Sequence, residues 1–306
     1  RHFDELIPMM HEDGYMPEFR MHYFDIRFSN ICNFKCRTCG DEFSSQWAQE
    51  SRVYDKTIPI LKHVDDHRGN ILNEVLDQVD NIELAYFAGG EPTLTEEHYI
   101  MLEDMIRKGR TDIILRYNTN ASNIKFKDYD LLDLWKNFKR IELSCSIDHF
   151  GKRAEYIRKG TVWEKELENL KKVRELDYIQ FNINTVISVF NYLTIDEFYF
   201  YLIDNNLLTP KDLSYSMYNM MSPKHLTAHI LPRHLKDQAR SKISKLYGYF
   251  HEHKYKPDQL RQVHAMTEWV ESKDLWEVHK TKFQNETKII DDVRDRKSTR
   301  LNSSHV

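Results

Sequence analysis

Short runs rich in β-branched and aromatic residues alternate with helical patterns over the first two-thirds of this chain, and that alternation restricts the fold more than any other feature. Strands are predicted at Tyr23–Ser29, Asn81–Ala88, Asp112–Asn118, Arg140–Ile147, Phe181–Val189 and Leu213–Tyr218. Helices are predicted near Ser44–Val53, Glu97–Lys108, Tyr129–Phe138, Val162–Glu175 and Ile195–Asn205. Parallel neighbours need a crossover between them, so such repeats build an α/β fold around a parallel sheet. From Pro232 onward the pattern is helical and strongly charged, with Trp269 and Trp276 as expected anchors. No internal repeat and no low-complexity segment interrupts it.

Three of the four cysteines fall within eight residues, as Cys32-x-x-x-Cys36-x-x-Cys39. A [4Fe–4S] cube takes four ligands, usually thiolates, so three from one loop leave one iron open to a non-protein ligand. A structural zinc site would want a fourth cysteine or histidine, commonly from a second pair. Cys145 is far away and unpaired in sequence; flanked by Ser144 and Ser146, it should face the opposite side of its strand as a small buried hydrophobe. A disulfide would need an oxidising compartment and would leave an odd thiol.

Together with Gly89-Gly90-Glu91-Pro92 after the next strand, Cys32, Cys36 and Cys39 resemble the radical S-adenosylmethionine superfamily. The resemblance implies a partial (β/α)6 barrel with a C-terminal helical appendage, and reactive groups on loops leaving the C-terminal ends of the strands. It implies a [4Fe–4S] cluster on Cys32, Cys36 and Cys39, whose open iron is chelated by the methionine end of S-adenosylmethionine. It further implies that the Gly89-Gly90 turn receives the methionine amino group, with Glu91 supplying nearby negative charge and Pro92 stiffening the turn. Thr119 and Asn120 would lie beside the cofactor, Ser146 and Asp148 would reach the ribose hydroxyls, and Arg158 would approach the carboxylate. The chemistry suits those groups, since carboxylates accept from vicinal hydroxyls and guanidinium pairs with carboxylate. Without resemblance, Glu91 and Asp148 read equally as helix-start residues and Arg158 as a solvated charge. One departure is Thr38, where the family often carries an aromatic residue that holds the adenine.

The implied activity is reductive cleavage of S-adenosylmethionine to a 5′-deoxyadenosyl radical that abstracts a substrate hydrogen. The stretch Phe24 to Gly40 resembles radical proteins with a twitch-type auxiliary module, some phage-encoded, whose relatives often modify peptides. Their extra cysteines are missing here, so either an auxiliary cluster is ligated upstream of Arg1 or the chain carries one cluster. An RNA-modifying enzyme and a non-catalytic iron–sulfur electron-transfer module are the competing readings. The implied partners are a one-electron donor such as flavodoxin or ferredoxin and a peptide or small-molecule substrate.

The organisation expected over 306 residues is an N-terminal segment at 1–20 ending a truncated upstream module, a barrel at 21–222 and a helical appendage at 223–293. A polar stretch at 294–306 reads as a disordered or artefactual tail. A net charge of −4 gives no overall pull toward nucleic acid, and no apolar run approaches the roughly 18 residues of a membrane span. The scarcity of cysteine pairs agrees with a reducing, cytoplasmic setting. His225 and His229, with His234 nearby, are expected on a solvated polar face. Asn182 and Asn184 share one face of the fifth strand and read either as substrate or cofactor contacts lining the barrel interior or as structural amides.

Overall fold

The computed structural model describes residues 7–15, 21–64, 70–210, 212 and 216–303, with side chains to residue 295. Six strands form one sheet in sequential order: β1 (Tyr23–Ile26), β2 (Leu84–Phe87), β3 (Ile114–Thr119), β4 (Ile141–Ser146), β5 (Ile179–Ile187) and β6 (Ser216–Asn219). Every neighbouring pair is parallel, and β1 and β6 remain at opposite edges. The parallel sheet is what the strand–helix alternation predicts, and its curling into an open half-barrel is what the family resemblance implies.

The crossovers carry α1 (Ser45–Ser51), α2 (Ile71–Leu76), α3 (Glu96–Arg107), α4 (Leu131–Trp135), α5 (Gly151–Ile157), α6 (Trp163–Arg174) and α7 (Ile195–Asp204). From β1 to β5 one face is buried and the other at least partly exposed, with strict alternation through all nine residues of β5. Successive side chains on a strand point to opposite faces. The helices therefore bury Leu115, Tyr117, Leu143, Cys145, Ile183 and their neighbours on the convex side. Cys145 thus packs in the core, away from the three clustered cysteines.

The concave face is largely polar. Asp25, Tyr86, Arg116, Glu142 and Gln180 align across five strands, and Asn118, Ser144 and Asn182 align in the layer above. The charges are matched locally: Arg116 Nε and Arg140 Nη2 each lie 2.6 Å from Glu142, and Arg27 pairs with Asp25 at 2.9 Å. Asn182 donates to Ser144 at 3.3 Å, and Asn118 to Tyr86 at 2.7 Å. Asn182 and Asn184 therefore belong to the lumen surface.

Several boundaries differ from expectation for local reasons. The helix expected at Tyr129–Phe138 is only Leu131–Trp135, because Tyr129–Asp130 pairs with Lys125–Phe126 and Asp130 caps the helix by accepting from Leu132 N. The short helices α2 and α5 lie outside the predicted set, because six or seven residues give too little periodicity to recognise. The first strand stops at Ile26, and 213–215 of the sixth predicted strand lie outside the described residues.

Beyond the barrel lie α8 (Arg233–Glu252), α9 (Pro257–Glu271) and α10 (Trp276–Ser303). Trp269 packs on the core and stacks on His229, ring centroids 3.7 Å apart. Trp276 opens α10, its amide donating to Asp274. His225 and His229 are buried rather than solvated: His225 meets Glu286 of α10, and His229 meets the Trp269 carbonyl at 2.7 Å. A structureless tail from Arg294 is also not what the chain shows at that residue, which is buried within α10. Its partners lie more than 240 residues earlier, too distant for sequence pattern to reveal.

Phe87 of β2 stacks on Tyr117 at 5.1 Å and meets the edge of His98 at 4.8 Å. Phe87→Ala should lower unfolding free energy by about 3–5 kcal/mol, the cost of emptying an aromatic core position, as read by urea denaturation.

Candidate active site

Where the strands end, a cavity of about 330 Å³ opens above the lumen. Ten of the twelve expected site residues line it: Cys32, Cys36, Cys39, Gly89, Gly90, Glu91, Thr119, Asn120, Ser146 and Arg158. Thr38, Arg27, Tyr86 and Asn118 complete much of its wall, joining the cavity to the polar concave face. Pro92 and Asp148 do not line it.

The cysteine loop is fixed from three sides. Ser44 and Ser45 at the start of α1 bind it: Ser44 Oγ donates to the Phe34 carbonyl, and Cys32 N donates to Ser45 Oγ at 3.2 Å. Trp47 Nε1 donates to the Cys36 carbonyl. Lys35–Cys36 pairs antiparallel with Arg158–Lys159 after α5, and Arg37 N donates to Ile157 O at 2.7 Å. Gly160, at φ +121°, permits this approach, since a Cβ there would stand 2.7 Å from the Asn33 carbonyl.

The third side is the Gly89-Gly90-Glu91 turn. Glu91 N donates to Ile31 O at 2.6 Å, and a Cβ on Gly90 would fall 2.1 Å from that same oxygen. The close approach that glycine permits is therefore first that of chain to chain. Gly90→Ala should force the turn off the cysteine loop. Overpacking of this kind costs about 1–3 kcal/mol, so a lower thermal midpoint and reduced iron uptake are the expected readouts.

Glu91 is buried and fully committed. One carboxylate oxygen accepts from Thr119 Oγ1 at 2.7 Å and Thr93 Oγ1 at 2.8 Å; the other accepts from Asn120 N at 2.7 Å. Burial raises its pKa while these donors oppose the rise. Glu91 thus ties the turn to the end of β3, and Thr119 spends its hydroxyl hydrogen on that tie. Asn120 is held too, donating from Nδ2 to Asn33 Oδ1 at 2.8 Å. Pro92 begins a single 3-10 turn behind the cavity, with Glu91 as its cap.

Asp148 departs from the expected ribose contact. Its carboxylate is wholly buried, accepting from Val186 N at 2.8 Å and pairing with Arg158 Nε at 2.9 Å. Asp148 therefore orients Arg158, whose Nη1 lies 3.6 Å from the Cys36 sulfur. Although burial works against its charge, Asp148 keeps the Arg158 pKa above the ordinary value. Ser146, in contrast, faces the cavity as expected.

The donor set fits an iron–sulfur cluster. Burial pushes the Cys32 and Cys36 thiols up to about 12, so their thiolates need cationic compensation, which Arg158 supplies in part to Cys36. Bound iron would supply the rest, because metal ligation deprotonates cysteine. Among the described residues no three His, Cys, Asp or Glu side chains converge on a point suited to one metal ion. The thiols instead share the wall of a larger cavity.

The radical SAM superfamily model matches residues 26–201, more than half of the sequence. The chain belongs to the radical SAM superfamily. Superfamily members use a [4Fe–4S] cluster and S-adenosylmethionine, the cofactors that the cysteine loop and the cavity fit. Among solved structures, a histidine-tagged form of anSMEcpe with bound AdoMet aligns with a TM-score of 0.51 and 18% identity over 76% of this chain and 61% of that one. Streptococcus suis SuiB aligns with a TM-score of 0.48 and 17% identity over 78% of this chain and 48% of that one. This chain thus spans about half to three-fifths of the length of those radical SAM structures. No match emerged among curated protein sequences. No helix among the described residues is long and apolar enough to cross a membrane.

Sequence reasoning missed Glu166, which is 2% exposed in α6 and lies near Arg158 and Thr161. Burial pushes its pKa up to about 8, against the pull of Arg158 and Thr161. The folded chain then holds a proton that the unfolded chain releases near 4.5, so this group favours folding below that pH and loses its contribution as pH rises through about 8. Glu166→Gln should flatten the fall in unfolding free energy between those limits, measured by denaturant melts of the metal-free protein across that range.

Proposed function

We propose that this chain is a radical enzyme acting on a polar substrate, with a peptide or protein segment as the favoured class. The observation that carries the reading is the convergence of three cysteine thiols, the Gly89-Gly90-Glu91 turn and the end of β3 on one cavity above the lumen. When bound, the reduced cluster supplies one electron to S-adenosylmethionine, whose cleavage to methionine and a 5′-deoxyadenosyl radical provides the hydrogen abstractor. Cys32, Cys36 and Cys39 would hold the iron, while the backbone of Gly89 and Gly90 would border the methionine end. Asn120 and Ser146 offer polar contacts to the nucleoside, and Arg158 places positive charge beside the Cys36 thiolate. The remaining chemistry belongs to the cofactor; the protein binds, orients and shields.

The concave face supports a peptide over RNA. It presents Asn118, Asn182, Gln180 and Ser144, groups suited to a peptide backbone, and its cations Arg27, Arg116 and Arg140 are each matched by a carboxylate. Phosphate recognition would call for cations left unmatched. Of the solved radical SAM structures, anSMEcpe has been captured with AdoMet and a Cp18Cys peptide bound together. A flavodoxin or ferredoxin would supply the electron.

Anaerobically reconstituted protein with dithionite and S-adenosylmethionine should release 5′-deoxyadenosine, and the Cys32→Ala, Cys36→Ala, Cys39→Ala triple variant should release none, as followed by liquid chromatography. Release that persists after iron is lost would overturn the proposal. A loaded cluster with no release would instead favour a non-catalytic electron-transfer module.

A further inference from the structure

Cys36 sits between two cations that turn away from the cavity toward α10. Arg37 is buried, donates from Nε to Tyr156 O at 3.0 Å and stacks on the Tyr156 ring at 3.8 Å. Its outer nitrogen pairs with Asp291 of α10, which also accepts from the Tyr156 hydroxyl at 3.3 Å. On the other side of Cys36, Lys35 pairs with buried Glu50. Arg294 of α10 reaches that same carboxylate at 3.0 Å and donates from Nη2 to the Lys35 carbonyl at 2.9 Å. The Arg294 guanidinium also lies over Trp47, whose indole holds the Cys36 carbonyl.

We propose that α10 clamps the cysteine loop, with Asp291 and Arg294 as positioning residues that set how tightly the cluster is held and at what potential it is reduced. The proposal rests on the cluster assignment above. Breaking a buried pair leaves the partner charge uncompensated, which is strongly destabilising. Here Asp291→Asn would leave Arg37, adjacent to Cys36, without its carboxylate, and loss of Arg294 would remove one of the two cations paired with Glu50, whose pKa Lys35 and Arg294 lower against burial. Either would shift the loop and the field at the thiolates. Groups behind metal ligands tune affinity and potential in this way.

The test uses the full chain carrying Asp291→Asn, Arg294→Gln or both, beside Arg294→Lys and a Lys280→Ala control elsewhere on α10. In the double variant, iron loss to a chelator from the reconstituted protein should accelerate by about 10-fold, the lower bound for removing groups that support metal ligands. The midpoint of the cluster in redox titrations should move, and its electron paramagnetic resonance signal should change. Arg294→Lys should recover part of each effect, and Lys280→Ala should behave as the parent. Iron retention, midpoint and signal all equal to the parent would overturn the clamp. Asp291→Asn keeps the side-chain shape and carries the same expectation if the double variant does not fold. Hydrogen exchange at the Arg37 and Cys39 amides in the metal-free chain reads the clamp independently: faster exchange supports it and unchanged exchange overturns it. A parent that takes up no cluster would therefore count against the proposed function alone.

Discussion

The site depends on one backbone contact, the hydrogen bond from Glu91 N to Ile31 O with Gly90 pressed beside it. It brings the turn after β2 against the chain that leads into Cys32. Because no side chain fits at Gly90, the two segments meet backbone to backbone, and the cavity takes its width from that meeting. Glu91 then extends the join to β3 by accepting from Thr119 and the Asn120 amide. A buried carboxylate satisfied by fixed donors is stiff, since moving any one donor exposes the charge to its low-dielectric surroundings. Three strand ends are thereby set relative to one another before any ligand enters.

Much of this was legible from the sequence because it is local. The six strands follow from alternation, and the three cysteines and the Gly89-Gly90-Glu91 run are contiguous motifs. The chemical roles of single residues depend on contacts that are not local. Asp148 carries the composition expected of a ribose contact, yet Arg158 and the Val186 amide already occupy its oxygens. Glu166 carries no motif at all, and its significance comes from burial that only the packed helix α6 creates. The same holds for Arg294, which in sequence sits in a polar stretch without periodicity and in space lies on Trp47 and Glu50.

Charge pairing takes two forms in this fold. On the concave face, Arg27, Arg116 and Arg140 meet carboxylates while still partly exposed, and such pairs contribute little to stability. Around the cysteine loop each pair has at least one buried member, and there the penalty of losing a partner is what gives them influence. Arg158 with Asp148, Arg37 with Asp291, and Glu50 with Lys35 and Arg294 surround a single loop from separate elements. Distant parts of the chain are thus coupled to one short segment through electrostatics rather than through extended apolar contact.

The elevated thiol pKa values of Cys32 and Cys36 carry a consequence for the freshly folded polypeptide. A neutral thiol is a poor nucleophile, so these two cysteines resist air oxidation and stray alkylation ahead of maturation. Assembly must then expel their protons, which makes cluster insertion easier in mildly alkaline buffer than in acid. The burial that protects the thiols is also what makes their loading sensitive to proton activity.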